Sequence, residues 1–463
     1  MTTGYDGSVL NGLQAVSHWQ TYFGHPTGAL LGVLNASYNL GSLITLPIIP
    51  WVNDTLGRKH SITIGSIVLC IGVAIQSAAI NSKFQPFNSP LSGHNLTSFH
   101  SGMFMAARFI MGMGISCAVS GASQLVAELI YPRERAVITG LFNVSWFAGA
   151  ILAAGITLGT HSIPNDWAWR IPSILQAAPS LLQLTFIWFV PESPRYLLSR
   201  DRDEEAFEIL VKYHAEGDRS DPFVNAEFVE IQAQIRLERS NSKRRWIELL
   251  QTPGNRKRVL ITACVGLFAQ WSGNGLISYY LSKVLQTCWN LLTAATAAFA
   301  TAFLRRRVQY LTSFVSITIC FPILTACSAT FARSGEHSAA TAVIAFIFIY
   351  NGFFNIMQPL LYIYITEVYP FIYRAKGIAL LQFFNRGSTA FNSFVNPIGL
   401  DALKWKYYLV YVVWLVCETT VVYFLYPETK GPTLEDIAKV FDGEPAKQMD
   451  DEKSIKSTEK EIS

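Results

Sequence analysis

Pro191-Glu192-Ser193-Pro194-Arg195 divides the chain. Six apolar segments precede it, a charge-rich stretch over residues 196–257 follows it, and six more apolar segments begin at Val259. Pro427-Glu428-Thr429-Lys430-Gly431 stands behind the last of these as Pro191 stands behind the sixth. The same punctuation after each set of six reads as two parallel copies of one unit.

Composition places most of the chain in lipid. Of 463 residues, 51% are hydrophobic, 13% aromatic and only 15% charged, and the mean hydropathy is +0.28; an ordinary soluble domain carries about 25% charged residues. The net charge of +4 is small and its basic residues gather at segment ends. That pattern excludes a nucleic-acid partner, which needs a basic face, and fits the positive-inside rule. Cys70, Cys117, Cys264, Cys288, Cys320, Cys327 and Cys417 all fall in apolar segments without metal-site or disulfide spacing, and are expected to pack. No charged region with a cleavage site precedes the first segment, so no signal peptide is expected.

Spans near the roughly 20 residues needed to cross a bilayer fall at 27–51, 61–80, 99–121, 136–159 and 169–190, behind a shorter first one at 4–23, and again at 259–281, 288–304, 308–331, 341–366, 378–400 and 407–426. The expectation is an all-α membrane protein with twelve transmembrane helices in two six-helix halves. Its parts are residues 1–195, a cytoplasmic helical linker at 196–257, residues 258–431 and a charged, disordered tail at 432–463. Arg58, Lys59, Arg133, Arg135, Arg305, Arg306, Arg307, Arg374 and Lys376 mark the cytoplasmic loops, against Lys83, Arg333, Lys404 and Lys406 outside. Both termini are therefore expected in the cytoplasm of a plasma-membrane protein. Asn95-Leu96-Thr97 is a glycosylation sequon expected in an outside loop, whereas the matches at Asn35 and Asn143 lie in spans. In the linker, Asp203 is expected to cap a helix ending at Gly217, Asp221-Pro222 opens a second, and a short third ends before Pro253.

Residues with chemistry sit at two levels. At the cytoplasmic ends, Glu128 through Arg135 and Glu367 through Arg374 repeat Glu, Pro and Arg, the glutamates and the arginines each 239 residues apart, and Glu192 and Glu428 repeat 236 residues apart. With Asp54, Arg58 and Arg195, these carboxylates and arginines can pair across helices as a gating latch between the halves; the same charges also set topology. Within the spans, Asp6 and Arg108 are ionisable. Such groups are costly in a membrane and face a cavity and a partner, and their relative movement makes a proton switch. Arg386 and Glu418 also lie in spans, Glu418 without an assigned partner. The seventh span is interrupted by Gln270-Trp271-Ser272-Gly273-Asn274-Gly275, followed by Tyr279-Tyr280. Amides, a hydroxyl and an indole at this depth suit a polyhydroxylated ligand, and Asn143, Gln358, Tyr362 and Asn385 can join them.

Taken with Gly4-Tyr5-Asp6-Gly7 and Asp54 to Lys59, these motifs resemble the sugar porter family of the major facilitator superfamily over nearly the whole chain. Gln270 through Tyr280, Asn396-Pro397-Ile398 and Trp405-Lys406-Tyr407-Tyr408 are most similar to its fungal lactose permease and cellodextrin transporter branch. The resemblance implies the major facilitator fold, proton coupling by Asp6 and Arg108, and sugar ligands at Gln270, Asn274, Tyr279, Asn143, Tyr362 and Asn385. It departs at Ala269, Ala150 and Gly275, where the family has amides, which favours a larger sugar.

Two spans look shortened. Asp6 lies five residues from Met1, and Gly273 to Arg306 is 33 residues against 52 from Asp6 to Arg58; the first and eighth helices are expected to be truncated. The expected function is transmembrane transport of a sugar, a disaccharide of the lactose or cellobiose kind or a hexose, with a proton as coupling ion and no cofactor. No nucleotide loop, metal cluster or nucleophile arrangement points to an enzyme. A non-transporting sugar sensor and a transport-defective porter stay open as alternatives. The expected partners are a small-molecule sugar and membrane lipid, with the chain a monomer.

Overall fold

The computed structural model describes residues 1–81, 94–131, 134–241, 246–274, 283–301, 303–369, 371–431 and 441. The described elements are all helices. The first span is Thr2–Leu13, followed after a turn by Ser17–Tyr22. The second is bent by 53° between Gly28–Thr45 and Ile49–Leu56, where Pro47 and Pro50 interrupt the backbone hydrogen-bond ladder. Arg58–Asn81, His94–Leu129 and Arg135–Thr160 are the third to fifth. Asn95 thus lies in the first turn of a helix and not in the expected loop.

The sixth span runs in pieces through Trp167–Leu175, Ala177–Phe186 and Ile187–Phe189. In the other half, Pro253–Trp271, Lys283–Ala300, Arg306–Ser334, His337–Phe354 with Leu360–Val368, Phe371–Leu403 and Tyr407–Leu425 are the seventh to twelfth. The tenth is not one helix as expected: it breaks before Pro359, whose ring disfavours helical backbone in the residue ahead of it. By length and hydropathy, six stretches of described helix can cross a membrane, or seven with the bent pair.

Polar side chains point in and apolar ones out, as a lipid solvent requires. Asp6, Gln76, Arg108, Gln176, Gln309 and Glu418 are buried, whereas Leu182, Phe186, Ile319, Val413 and Phe424 are exposed. Small residues bring helices together: a Cβ on Gly65 would lie 2.5 Å from the Gly114 carbonyl oxygen, and one on Gly114 2.6 Å from that of Gly65, the close approach that favours glycine between membrane helices.

The linker is a small bundle around Leu197, Leu198, Ala206, Leu210, Val211, Val224 and Ile235. Asp221 caps its second long helix, Oδ1 accepting the N–H groups of Phe223 (2.7 Å) and Val224 (3.3 Å). Asp203 instead falls inside the first turn of Asp203–His214, whose cap position is Arg202; that helix stops at His214, before the expected Gly217. His214 lies between Glu227 (2.7 Å) and the Leu129 carbonyl oxygen (3.2 Å), tying the bundle to the end of the fourth span. The tail expected to be disordered lies outside the described residues, apart from Phe441.

Candidate functional site

Each half carries a charged cluster at its linker-side end, and the two are built alike. In the first, Gly57 at φ +98° breaks the chain so that Arg58 can open a new helix; a side chain there would be strained. Arg58 Nε and Nη2 donate to Glu128 Oε2 (3.1 Å) and Oε1 (3.3 Å), and Nη1 donates to the Asn53 carbonyl. Ser193 also donates to Glu128. Glu192 accepts the Lys59 N–H at 3.2 Å and the Ser193 N–H at 2.9 Å.

In the second, Arg306 donates from Nε and Nη2 to Glu367 Oε1 at 3.2 and 3.1 Å, and from Nη1 to the Thr301 carbonyl. Thr429 donates to Glu367, and Glu428 accepts the N–H groups of Arg306 (3.0 Å) and Arg307 (3.2 Å). These multiply bonded carboxylates are mostly shielded from solvent, which makes them stronger than exposed pairs. Asp54 is different: it lies 3.8 Å from Arg58 with its side chain 74% exposed.

The hydrogen bonds and ion pairs named above, all among the described residues, join each cluster within its own half. Arg58 with Glu128 closes the first half on itself, and Arg306 with Glu367 the second. Arg195 donates to Gln234 of the linker, and Arg374 stands partly buried near the start of the eleventh-span helix. The Arg135 side chain lies outside the described ones. The pairs described form a brace within each half. Contacts between halves lie elsewhere, between the second and eleventh spans and between the fifth and eighth. Asn39 donates to Ser393 Oγ at 3.2 Å, and a Cβ on Gly32 would meet the Phe394 carbonyl oxygen at 2.6 Å.

In its interior the first half holds Asp6, fully buried, neither of whose carboxyl oxygens has a hydrogen bond of ordinary length among the described residues. Arg108 is buried near it, its guanidinium 5.3 Å from the centre of the Tyr38 ring and its Nε and Nη1 also without partners. The two side chains do not touch as an ion pair; Gln176, whose Nε2 is likewise unpartnered, lies beside Asp6.

In the second half the seventh-span helix ends at Trp271, and Gly273 at φ +100° makes the break. Gln270 Nε2 donates to Asn385 Oδ1 (2.9 Å), and Asn392 Nδ2 donates to the Gln270 carbonyl (2.8 Å). Asn274 donates to the Ala269 carbonyl at 3.3 Å. Tyr362 accepts from Gln382 at 2.9 Å. Gln270, Asn274 and Asn385 thus cluster around the break, and Tyr362 stands in the tenth span. Tyr279 and the Asn143 side chain lie outside the described residues. Gln358 lines a small apolar hollow with Phe268, Phe314, Met357 and Tyr426, which offers few polar groups to a sugar.

Two features escaped the sequence reading: Asn392 fixes the Gln270 backbone, and Glu418 has partners in Ser272 and Trp414. Arg306, at the head of the ninth span as Arg58 is at the head of the third, is the counterpart of Arg58.

The family model described as sugar (and other) transporter matches residues 1–441. The chain belongs to this sugar transporter family. It is a multi-pass membrane transporter of the major facilitator type, and not an enzyme. Over 96% of its length it is 28% identical to MFS-type transporter oryC of Aspergillus oryzae, of which it covers 83%. It is also 28% identical to a high-affinity glucose transporter of Kluyveromyces lactis, covering 95% of this chain and 82% of the relative. The inward-open xylose transporter XylE from E. coli superposes with a TM-score of 0.76 at 20% identity, over 95% of this chain and 98% of that one. XylE described as a proton:xylose symporter, bound to 6-bromo-6-deoxy-D-glucose, gives 0.74. These relatives bear out the sugar porter resemblance at the level of the family; those named here do not single out the lactose permease and cellodextrin branch.

Proposed function

We propose that this sugar transporter carries a hexose together with a proton by alternating access of its two halves. The carrying observation is Asp6: a buried carboxyl beside Gln176, without a hydrogen bond of ordinary length among the described residues, and close to an arginine it does not touch. A carboxyl at membrane depth that is left unsatisfied is costly unless it takes a proton or reaches a cation. Two such states, neutral Asp6 and Asp6 paired with Arg108, are what a proton cycle needs. Gln270, Asn274 and Asn385, with Tyr362, Tyr279 and Asn143, bind the sugar. A hexose is favoured over the disaccharide because glucose, fructose and hexose transporters stand among the relatives.

The gating charges work as braces. Asp54, Arg58, Glu128, Arg135, Glu192 and Arg195 stiffen residues 1–195, and Glu367, Arg374 and Glu428 stiffen residues 258–431, while the linker over 196–257 joins the two and 432–463 forms a tail. Each half then rocks as a body, and the described contacts between second and eleventh spans close the end away from the linker. The protein works in the plasma membrane as a monomer with linker and termini in the cytoplasm. Uptake of labelled D-glucose and lactose, with and without a proton uncoupler, in cells lacking their own hexose transporters is the test. Uncoupler-sensitive glucose accumulation is expected; uptake that the uncoupler leaves unchanged would remove the proton, and uptake of lactose alone would remove the hexose.

A further inference from the structure

We propose that Glu418 is held as a neutral acid that positions the break in the seventh span, setting sugar affinity without touching the sugar. The inference rests on the transport reading above. Glu418 is fully buried in the twelfth-span helix. Its Oε1 accepts the Trp414 Nε1–H at 2.6 Å, and its Oε2 lies 2.8 Å from Ser272 Oγ. That same Oγ lies 2.6 Å from the Phe268 carbonyl oxygen, one turn back along the seventh span.

Counting protons decides between the two forms of the acid. A serine hydroxyl has one proton to give, and a backbone carbonyl can only accept. Were Glu418 ionised, Ser272 would face two acceptors and one close oxygen pair would lack a hydrogen. With the proton on Oε2, Glu418 donates to Ser272 Oγ, Ser272 donates to the Phe268 carbonyl, and both short contacts are hydrogen bonds. The surroundings agree. The titratable groups beside Glu418 are Cys264 of the seventh span, Tyr350 of the tenth and Tyr426 near the end of its own helix; among the described residues none of the packed spans gives it an ion-pair partner. A carboxylate at this depth would have no counter-charge.

The position of Ser272 gives the acid its effect. Ser272 follows the last helical residue, Trp271, and precedes Gly273, where the backbone turns to positive φ. Its carbonyl accepts the Tyr350 hydroxyl at 2.7 Å. Glu418 and Tyr350 therefore clamp one residue by side chain and by main chain, between Gln270 on one side and Asn274 on the other. Releasing the clamp lets the Gln270 amide turn away from Asn385.

The test compares native protein with Glu418→Gln, Glu418→Ala and Ser272→Ala at matched surface levels, reading D-glucose uptake in intact cells and the infrared spectrum of purified protein. Glutamine can still donate to Ser272 and accept from Trp414, so Glu418→Gln is expected to keep the half-saturating glucose concentration. Glu418→Ala and Ser272→Ala are expected to raise it about tenfold, the size of effect that an unsatisfied buried group produces. The spectrum of native protein should contain a carboxylic-acid C=O stretch that Glu418→Gln removes. A Glu418→Gln variant as impaired as Glu418→Ala would overturn the neutral acid, as would a native spectrum without that component. Unaltered affinity in Glu418→Ala would overturn the positioning role, and if that variant fails to reach the membrane, unaltered affinity in Ser272→Ala does the same. Absence of glucose uptake by native protein would instead refute the transport reading, while the infrared comparison still decides where the proton lies.

Discussion

Gln270 and Asn385 meet amide to amide, Nε2 donating to Oδ1 at 2.9 Å, although 115 residues separate them. Both are only partly buried. The single bond uses one donor of Gln270 and one lone pair of Asn385, so each keeps donors and an acceptor lone pair for a ligand hydroxyl. A ready-oriented pair of this kind lowers the ordering cost of binding.

Gln270→Ala should therefore raise the half-saturating sugar concentration about tenfold, and Asn385→Ala by a similar factor, an expectation from the loss of one or two hydrogen bonds. Because the two share a contact, the double variant should lose less than the product of the single losses. Full multiplicativity in uptake kinetics would show that they act separately.

Asp6→Asn should abolish accumulation of sugar against a gradient while leaving exchange of labelled for unlabelled sugar in place. The amide is fixed in the neutral form and can still occupy the buried site. Accumulation that survives the change and still collapses with an uncoupler would take Asp6 out of proton coupling.

Equivalence of the two charged braces predicts equal damage. Glu128→Gln and Glu367→Gln should each lower stability by about 1–3 kcal/mol, the range for hydrogen bonds to charged groups, with similar falls in thermal midpoint of the purified protein. A fall at one position alone would break the equivalence of Arg58 with Arg306.

Gly273→Ala should be worse than a methyl group suggests. The residue sits at φ +100°, and an added Cβ would lie 2.6 Å from Phe321 Cε2. Strain of about 1–3 kcal/mol is expected to appear both as a lower thermal midpoint and as weaker sugar affinity, since the turn carries Asn274. Unchanged binding and stability would mean the break adapts freely.

The two-half plan was legible in the sequence because it is written twice, in Glu128 and Glu367 and in Glu192 and Glu428. Arg305-Arg306-Arg307 matches Asp54 through Lys59 only loosely, because the stretch from Gly273 to Arg306 is 19 residues shorter than that from Asp6 to Arg58. The seventh-span break was legible in the cluster around Gly273, whereas Pro47, Pro50 and Pro359 are residues that a continuous membrane helix could have absorbed. The polar cluster around Gln270 was readable as a cluster, with Asn385 as a candidate to join it, but Asn392 was not. It comes from a helix more than 100 residues away, and no local pattern distinguishes it from a packing residue. Glu418 looked orphaned for the same reason, since its serine lies 146 positions earlier. Arg58 pairs with Glu128 and Arg306 with Glu367, and whether such charges pair within or between halves depends on tertiary placement that charge patterning does not encode.

The hydrogen bond between Asn39 and Ser393 joins an amide to a hydroxyl. With each charged brace riding inside its own half, Arg386 of the eleventh span, close enough to Tyr38 of the second to act on it, is the charge beside the surface where the halves part. Rocking that surface open moves few charges through the membrane field, so the voltage acts on the cycle through the proton and the fixed charges of Asp6, Arg108 and Arg386. Turnover of the empty carrier should accordingly still respond to membrane potential, through those fixed charges, while staying indifferent to ionic strength.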